Sequence, residues 1–212
     1  MLRTAWAGFV QAGFRCLYTR FAWTYDAVAA LVSRGEWPLW GRAALAHLGA
    51  GPVLELGSGP GHLLAPLAEH APPAVGLDRS PDMARLAWPR RGRAALALGE
   101  GQALPFRTAA FTAVVSVFPA PYIVESATVA EVDRVLSPGG RFVVVDHAVL
   151  VGRDPYSVLV NLAYALTARP LEASKLPRQL AARGFSVQHV AHALRHARVT
   201  VLVAEKPLPD RD

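Results

Sequence analysis

Lysine is nearly absent from this chain: two of its 212 residues are Lys against twenty Arg. The skew is as compatible with a GC-rich genome as with selection for phosphate binding. The net charge of +6 can draw a protein toward anionic lipid or nucleic acid through its summed field. No run of like charge forms a basic arm, however, and the densest cluster, Arg90, Arg91 and Arg93, reads as a solvated loop. Cysteine is reduced to Cys16, which excludes an internal disulfide and a cysteine-rich metal site and fits a reducing cytoplasm. Charged residues make up only 18% and hydrophobic ones 52%, leaving room for a greasy pocket or a lipid-facing surface. Long apolar runs are missing too. Residues 5–18 are interrupted by Gln11 and Arg15 and fall short of the ~20 apolar residues of a membrane span. They lack a small-residue cleavage site, so no signal peptide is expected.

The length fits one domain with a modest extension. Residues 1–50 carry Phe9, Phe14, Leu17, Tyr18, Phe21, Tyr25, Val28 and Leu31 at three- and four-residue spacings, which predicts a helical cap over one end of a sheet. The alternative for this stretch is an amphipathic helix on a membrane surface, with Trp6, Trp23 and nearby arginines at the interface. From residue 51 to 207 short β-rich runs alternate with helical stretches. PVLEL (52–56), AVGLD (74–78), AALAL (94–98), AVVSVF (113–118) and RFVVVDH (141–147) are apolar at nearly every position, as parallel strands covered on both faces are. Residues 62–70, 80–88 and 124–136 between them predict helices. The alternation specifies an α/β, Rossmann-like doubly wound sheet. A helix over 174–183 stops at Gly184. FSVQHV (185–190) and RVTVLVAEK (198–206) follow too closely for a crossover, so a seven-stranded, mostly parallel sheet ends in an antiparallel hairpin. Residues 208–212 read as a tail.

The chemistry concentrates at VLELGSGPGHL, 53–63. A buried strand enters a turn containing Gly57, Gly59 and Gly61, where a ligand can approach the main chain, and a helix N-terminus with unpaired N–H groups follows. A dinucleotide fingerprint needs its third glycine at position 62, which is His; here it falls at Gly61. Glu55 before the turn would repel a pyrophosphate but suits a ligand with a cationic amino group. Asp78, closing the second strand, can accept two hydrogen bonds from a ribose diol; its other reading is a helix N-cap, for which Ser80 competes. Met83 could lie over an adenine ring or be simple core. Glu100, at the end of the third strand, could accept from an adenine amino group or be an ordinary surface carboxylate.

Taken in order, these segments resemble the class I S-adenosylmethionine-dependent methyltransferases, in the broad group that includes quinone-biosynthesis and small-molecule enzymes. The resemblance runs from about Tyr25 to Lys206. It rests on the Glu55–Gly61 turn, Gly76-Leu-Asp78 with Ser80 and Met83, residues 99–106, and EVDRVLSPGGRFVVVD at 131–146. It implies S-adenosylmethionine as cofactor. Gly57, Ser58, Gly59 and Gly61 would contact its methionine end, with Glu55 near the amino group. Asp78, beside Arg79, would hold the ribose, Met83 would flank the adenine, and Glu100, Gly101 and Gln102 would line its edge. Ser116 and Val117 would approach the sulfonium side, and Tyr25 would close over the cofactor. Two positions depart from the family pattern: Glu100 stands where Asp is common, and Phe111-Thr112 replaces Phe-Asp.

Methyl transfer by in-line displacement is mainly a matter of positioning and needs no fixed catalytic residue. A base is required only for a protonated acceptor. His147, after Asp146 at a strand end, is the base candidate, with a structural strand-end histidine as its other reading. Tyr122, Tyr156, Asn161 and Tyr164 are candidates for the acceptor pocket, the last three on a helix within 154–168. The apolar content and positive charge point to a small, lipophilic acceptor. Peripheral membrane contact is compatible with that reading; a nucleic-acid partner is not expected, because the Asn/Asp-Pro-Pro-Tyr/Phe type of loop is missing after the fourth strand. No metal is expected, since His189, His192 and His196 lack supporting ligands. The competing readings are a dinucleotide oxidoreductase, disfavoured by glycine spacing, and a non-catalytic or membrane-associated protein that keeps the fold. Oligomeric state is not legible.

Overall fold

A computed structural model of the protein describes residues 25–167 and 174–209. Helix α1 (Tyr25–Ser33) and helix α2 (Trp37–Arg42) lead through a 3₁₀ turn (Ala43–His47) into strand β1 (Val53–Leu56). Then come α3 (Leu64–His70), β2 (Ala74–Asp78), α4 (Pro81–Ala87), β3 (Ala95–Leu98) and β4 (Phe111–Val117). A 3₁₀ turn (Pro121–Val124) precedes α5 (Ser126–Val135), β5 (Leu136–Leu150), α6 (Pro155–Thr167), α7 (Leu176–Ala181), β6 (Ser186–Ala193) and β7 (Ala197–Glu205).

The seven strands form one sheet in the order β3-β2-β1-β4-β5-β7-β6. Pairing is parallel from β3 to β5 and antiparallel where β7 inserts between β5 and β6. The order reverses at β1 and β4, and α/β sheets open their ligand crevices at the C-terminal tips of such strands. Alternate residues of the central strands feed two cores. Val53, Val115, Val143, Val145 and Val201 face α3 and the N-terminal helices, among Trp40, Ala44, Leu64 and Leu67. Leu54, Leu56, Val114, Phe142 and Val144 face the other layer, among Val129, Val132, Leu176 and Leu180. Each such side chain contributes about 1.5–3 kcal/mol by leaving water, which explains the near-continuous apolar reading of these strands.

Two expectations are corrected. Strand β3 lies at the sheet edge and is not covered on both faces: Leu98 is exposed. Strand β5 is more than twice as long as 141–147. Its parallel partner β4 ends at Val117↔Val145, but antiparallel β7 continues to Leu150↔Ala197 and carries β5 beyond the sheet tip. His147 therefore lies within a strand, just past a register shift between Val145 and His147. Among the N-terminal residues, 1–24 and with them Trp6 and Trp23 lie outside the described residues.

Candidate active site

Strand β1 delivers Glu55 and the glycine turn to the crevice. Glu55 is 3% exposed, and its Oε2 has no hydrogen-bond partner. Burial, with Asp78 nearby as the second cause, pushes its carboxyl well above the ordinary glutamate range. The turn folds back on β2: the Gly57 and Ser58 N–H groups both donate to the Leu77 carbonyl, at 2.8 and 3.0 Å. Gly57 has φ +76 and Gly61 φ +82, left-handed values that favour glycine. At Gly61 there is a second reason. A Cβ there would lie 2.8 Å from the Ala87 Cβ, so its absence lets α4 close against the turn.

Asp78 fastens this turn. Its Oδ2 accepts from the Gly59 N–H at 2.8 Å, and its Oδ1 accepts from the Ser80 N–H at 2.8 Å. The N-cap role belongs to Ser80, whose hydroxyl accepts from the Met83 N–H at 3.4 Å. Two backbone bonds leave lone pairs on the Asp78 carboxylate for further donors. Met83 is buried and turned into the crevice.

A cavity of about 320 Å³ opens over these groups, lined by Glu55, Gly57, Ser58, Gly59, Asp78, Arg79 and Met83 from the sequence-derived set, together with Val117 and Tyr122. A second, of about 70 Å³, adjoins it over Gly99, Glu100, Gly101 and Gln102 and shares Gly57, Asp78, Arg79 and Tyr122 with the first. The structure thus brings residues from the tips of β1, β2 and β3 onto one continuous floor. The third segment is held from behind. Glu131 accepts from the Leu104 N–H at 2.7 Å, while Arg134 donates to the Phe106 and Leu104 carbonyls at 2.7 and 3.0 Å and pairs with Glu131. The Arg134 hydrogen bond holds the Glu131 carboxyl below its ordinary range. Gln102 donates to Glu125 at 2.8 Å.

Other sequence-derived residues fall elsewhere. Ser116 is fully buried and donates to the Leu56 carbonyl at 2.7 Å, so it stitches β4 to β1 and only Val117 lines the cavity. Tyr122 donates to the same carbonyl at 3.3 Å and lies over Gly57 and Gly101, at the seam of the two cavities. His147 does not line the cavity; it is held between Asp146 at 3.0 Å and Thr200 at 3.3 Å. Asn161 uses its amide on both backbone groups of Leu150, at 3.0 and 2.8 Å, and Tyr156 bonds the Leu31 carbonyl with Arg34 over its ring. These two join α6 to its neighbours and do not reach the crevice. The side chains of Tyr25 and Tyr164 lie outside the described residues. Thr112, where the sequence departs from the Phe-Asp pattern, donates its hydroxyl to the Pro52 carbonyl at 3.0 Å.

The cavity wall opposite the glycine turn was not expected. Helix α2 supplies Trp37, Pro38 and Gly41, and the loop after β4 supplies Phe118 and Pro119. The Trp37 and Phe118 rings sit 4.6 Å apart, with buried Trp40 behind. Phe118 has φ +45, an outlying value for a bulky residue and one of the strained conformations that cluster at functional sites. The W-P-L-W run at 37–40, opening a helix, was the available signal for Trp37. Nothing local announces the conformation of Phe118. His62 also lines this cavity.

A crevice at the tips of β1, β2 and β4 beneath this strand order defines the class I methyltransferase architecture. Known proteins agree. A family model described as "Methyltransferase domain" matches residues 54–144. A demethylmenaquinone methyltransferase of Beutenbergia cavernae is 34% identical over 158 residues, 69% of this chain and 66% of that protein. Another, from a Mycobacterium species, is 30% identical over 166 residues, 76% of this chain and 67% of that protein. The crystal structure of a putative S-adenosylmethionine-dependent methyltransferase of Methanococcus maripaludis superposes with a TM-score of 0.65. At 15% identity over 92% of this chain and 95% of that one, it shows the fold alone. The chain belongs to the class I S-adenosylmethionine-dependent methyltransferases, in their quinone-type group. It spans just under two thirds of the length of the Beutenbergia relative.

Proposed function

We propose that this protein binds S-adenosylmethionine in the joined cavities and transfers its methyl group to a small lipophilic acceptor held against the Trp37–Phe118 wall. One observation carries the reading: a buried carboxylate, Glu55, with an unpartnered oxygen at the cavity floor beside a glycine turn. Leaving such a group unpaired costs several kcal/mol by the usual order of magnitude, and a ligand ammonium offsets that cost. The donor set fits the rest of the cofactor. Asp78 has lone pairs for a ribose diol, Met83 offers an apolar face to a base, and residues 99–102 offer a backbone edge to it.

When bound, S-adenosylmethionine supplies a methyl group on a cationic sulfur. The protein's part is to hold and orient. Glu55 and the turn fix the amino-acid end, while Arg134 and Glu131 hold the loop that borders the other end. Trp37 and Phe118 exclude water and present flat apolar surface to an acceptor. With His147 engaged by Asp146 and Thr200, no fixed base is assigned, and an acceptor that reacts as its anion suits such a site. The contribution of α2 to the cavity supports reading residues 1–50 as a cap on the 51–207 domain. Family membership favours this reading over a non-catalytic one.

The relatives' names make a prenylated hydroquinone ring the first acceptor to test. The experiment is transfer of radiolabelled methyl from S-adenosylmethionine to demethylated naphthoquinols, extracted into organic solvent. Label in the ring product supports the proposal. Cofactor binding without transfer to any quinol would remove the quinone acceptor and leave the binding half standing.

A further inference from the structure

The segment 36–47, which supplies Trp37, Pro38 and Gly41 to the cavity wall, is tied to the β6–β7 hairpin at both of its ends, each time through histidine. At the start, Glu36 Oε1 lies 2.8 Å from His196 Nδ1 in the β6–β7 turn. At the end, His47 Nε2 lies 2.7 Å from His192 Nε2 on β6, with the two rings edge to face at 81°. His192 pairs across strands with Val199, on the sheet face that packs against Trp40, Ala43 and Ala44.

The two ties answer a proton in opposite ways. Imidazoles joined Nε2 to Nε2 share one hydrogen: one ring donates it and the other accepts through a lone pair. The donor ring can still take a proton at its far nitrogen. The acceptor ring can take one only at Nε2, which sets two donors and two positive charges face to face. At Glu36 the reverse holds, because a protonated imidazole gains an ion pair with a carboxylate. The surroundings of His47 resist its charging further. Burial first, then His192 and Arg141, hold it below the ordinary histidine range. Arg141 of β5 donates to the His47 carbonyl at 3.3 Å and is itself paired with Glu205 of β7. Arg42, just before the 3₁₀ turn, and Arg195, in the hairpin turn, are exposed. His189 and Arg198 lie on the other face of the sheet, opposite Leu202 and Val149.

We infer that the His47–His192 pair is a proton-sensitive clasp that parts in acid, so that the cavity wall on α2 loosens about its Glu36–His196 end. Buried Trp40, Ala43 and Ala44 anchor the segment through apolar contacts that protons do not touch, so it slackens without leaving the sheet. The inference adds regulation by pH to the proposed site. Its consequence for an acceptor rests on reading α2 as the acceptor wall; the clasp itself does not.

The test uses the full chain without cofactor or acceptor, so its failure and that of the methyl-transfer reading are told apart. Histidine-ring NMR between about pH 8 and 5 follows wild type and His192→Gln, whose amide keeps a polar contact but does not titrate. His47 should titrate below the ordinary value of about 6.5 in wild type and move up toward it in the variant. Acrylamide quenching of tryptophan fluorescence reads the wall, with Trp37→Phe identifying the Trp37 share. That share should be quenched about twofold more readily at about pH 5 than at about pH 7.5 in wild type, and equally at both in His47→Gln/His192→Gln. A His47 midpoint that His192→Gln leaves in place, or an acid response equal in wild type and the double variant, overturns the inference. Should a glutamine variant fail to fold, wild type decides alone. Trp37 quenching that rises along the His47 titration supports the clasp, and quenching that ignores it overturns the clasp.

Discussion

Glu55 is the residue on which the proposed cofactor site turns, and its titration gives a two-sided prediction. Its carboxyl is raised in the folded state, so between the unfolded value near pH 4.5 and the raised value the folded protein holds more protons than the unfolded one. The ligand-free protein should therefore lose stability as pH rises through that window. Glu55→Gln should melt higher than wild type at pH 8, with the gap closing toward about pH 4; thermal melts across pH check this. Cofactor affinity should run the other way. A cationic amino group binds the ionised form, so below the raised value binding should be coupled to release of a proton and should tighten as pH rises, seen as a dependence of binding heat on buffer ionisation enthalpy. Glu55 was legible in the sequence because an acid ahead of a glycine turn is odd for a phosphate site. Phe118 was not, because its positive φ is imposed by the loop around it and has no signature in the order of residues.

Elements position the site through contacts far from the ligand. Gly61→Ala would place a Cβ against Ala87 at a left-handed φ. It should cost at least about 2 kcal/mol and lower Tm by roughly 4–8 °C, with cofactor binding lost alongside. Arg134 touches no part of the cavity, yet it secures the loop at 104–106 with Glu131. Arg134→Ala should weaken S-adenosylmethionine binding by about tenfold, within the cost of a few charge-assisted hydrogen bonds, while leaving acceptor KM unchanged at saturating cofactor. Steady-state kinetics separate the two. At this scale the sequence was most informative where burial is continuous: β1, β2 and β4 are apolar because both faces are covered. It misled at β5, whose length depends on a partner strand fifty residues later, and so His147 took on the look of a strand-end base. At α6 Tyr156 and Asn161, candidates for the acceptor pocket, instead join the helix to Leu31 and Leu150, while Val158, Leu159 and Leu162 turn to solvent.

For the molecule as a whole, the strand order puts the glycine turn, Asp78 and the third-strand loop on one edge of the sheet. Helix α2 and the loop after β4 then wall the cavity with the Trp37 and Phe118 rings, the side proposed for the acceptor. Trp37→Ala should leave cofactor affinity within about twofold while raising the acceptor's KM about tenfold or more, as loss of a large apolar contact does; the quinol assay reads both. The central claim is that the crevice is a site for S-adenosylmethionine. Its most direct test is calorimetric titration of the purified protein with S-adenosylmethionine and S-adenosylhomocysteine, alongside Asp78→Ala and Glu55→Gln. The account predicts micromolar binding by the wild type and a loss of at least about tenfold in each variant. A folded wild type that gives no binding heat and no thermal shift with either ligand would contradict it.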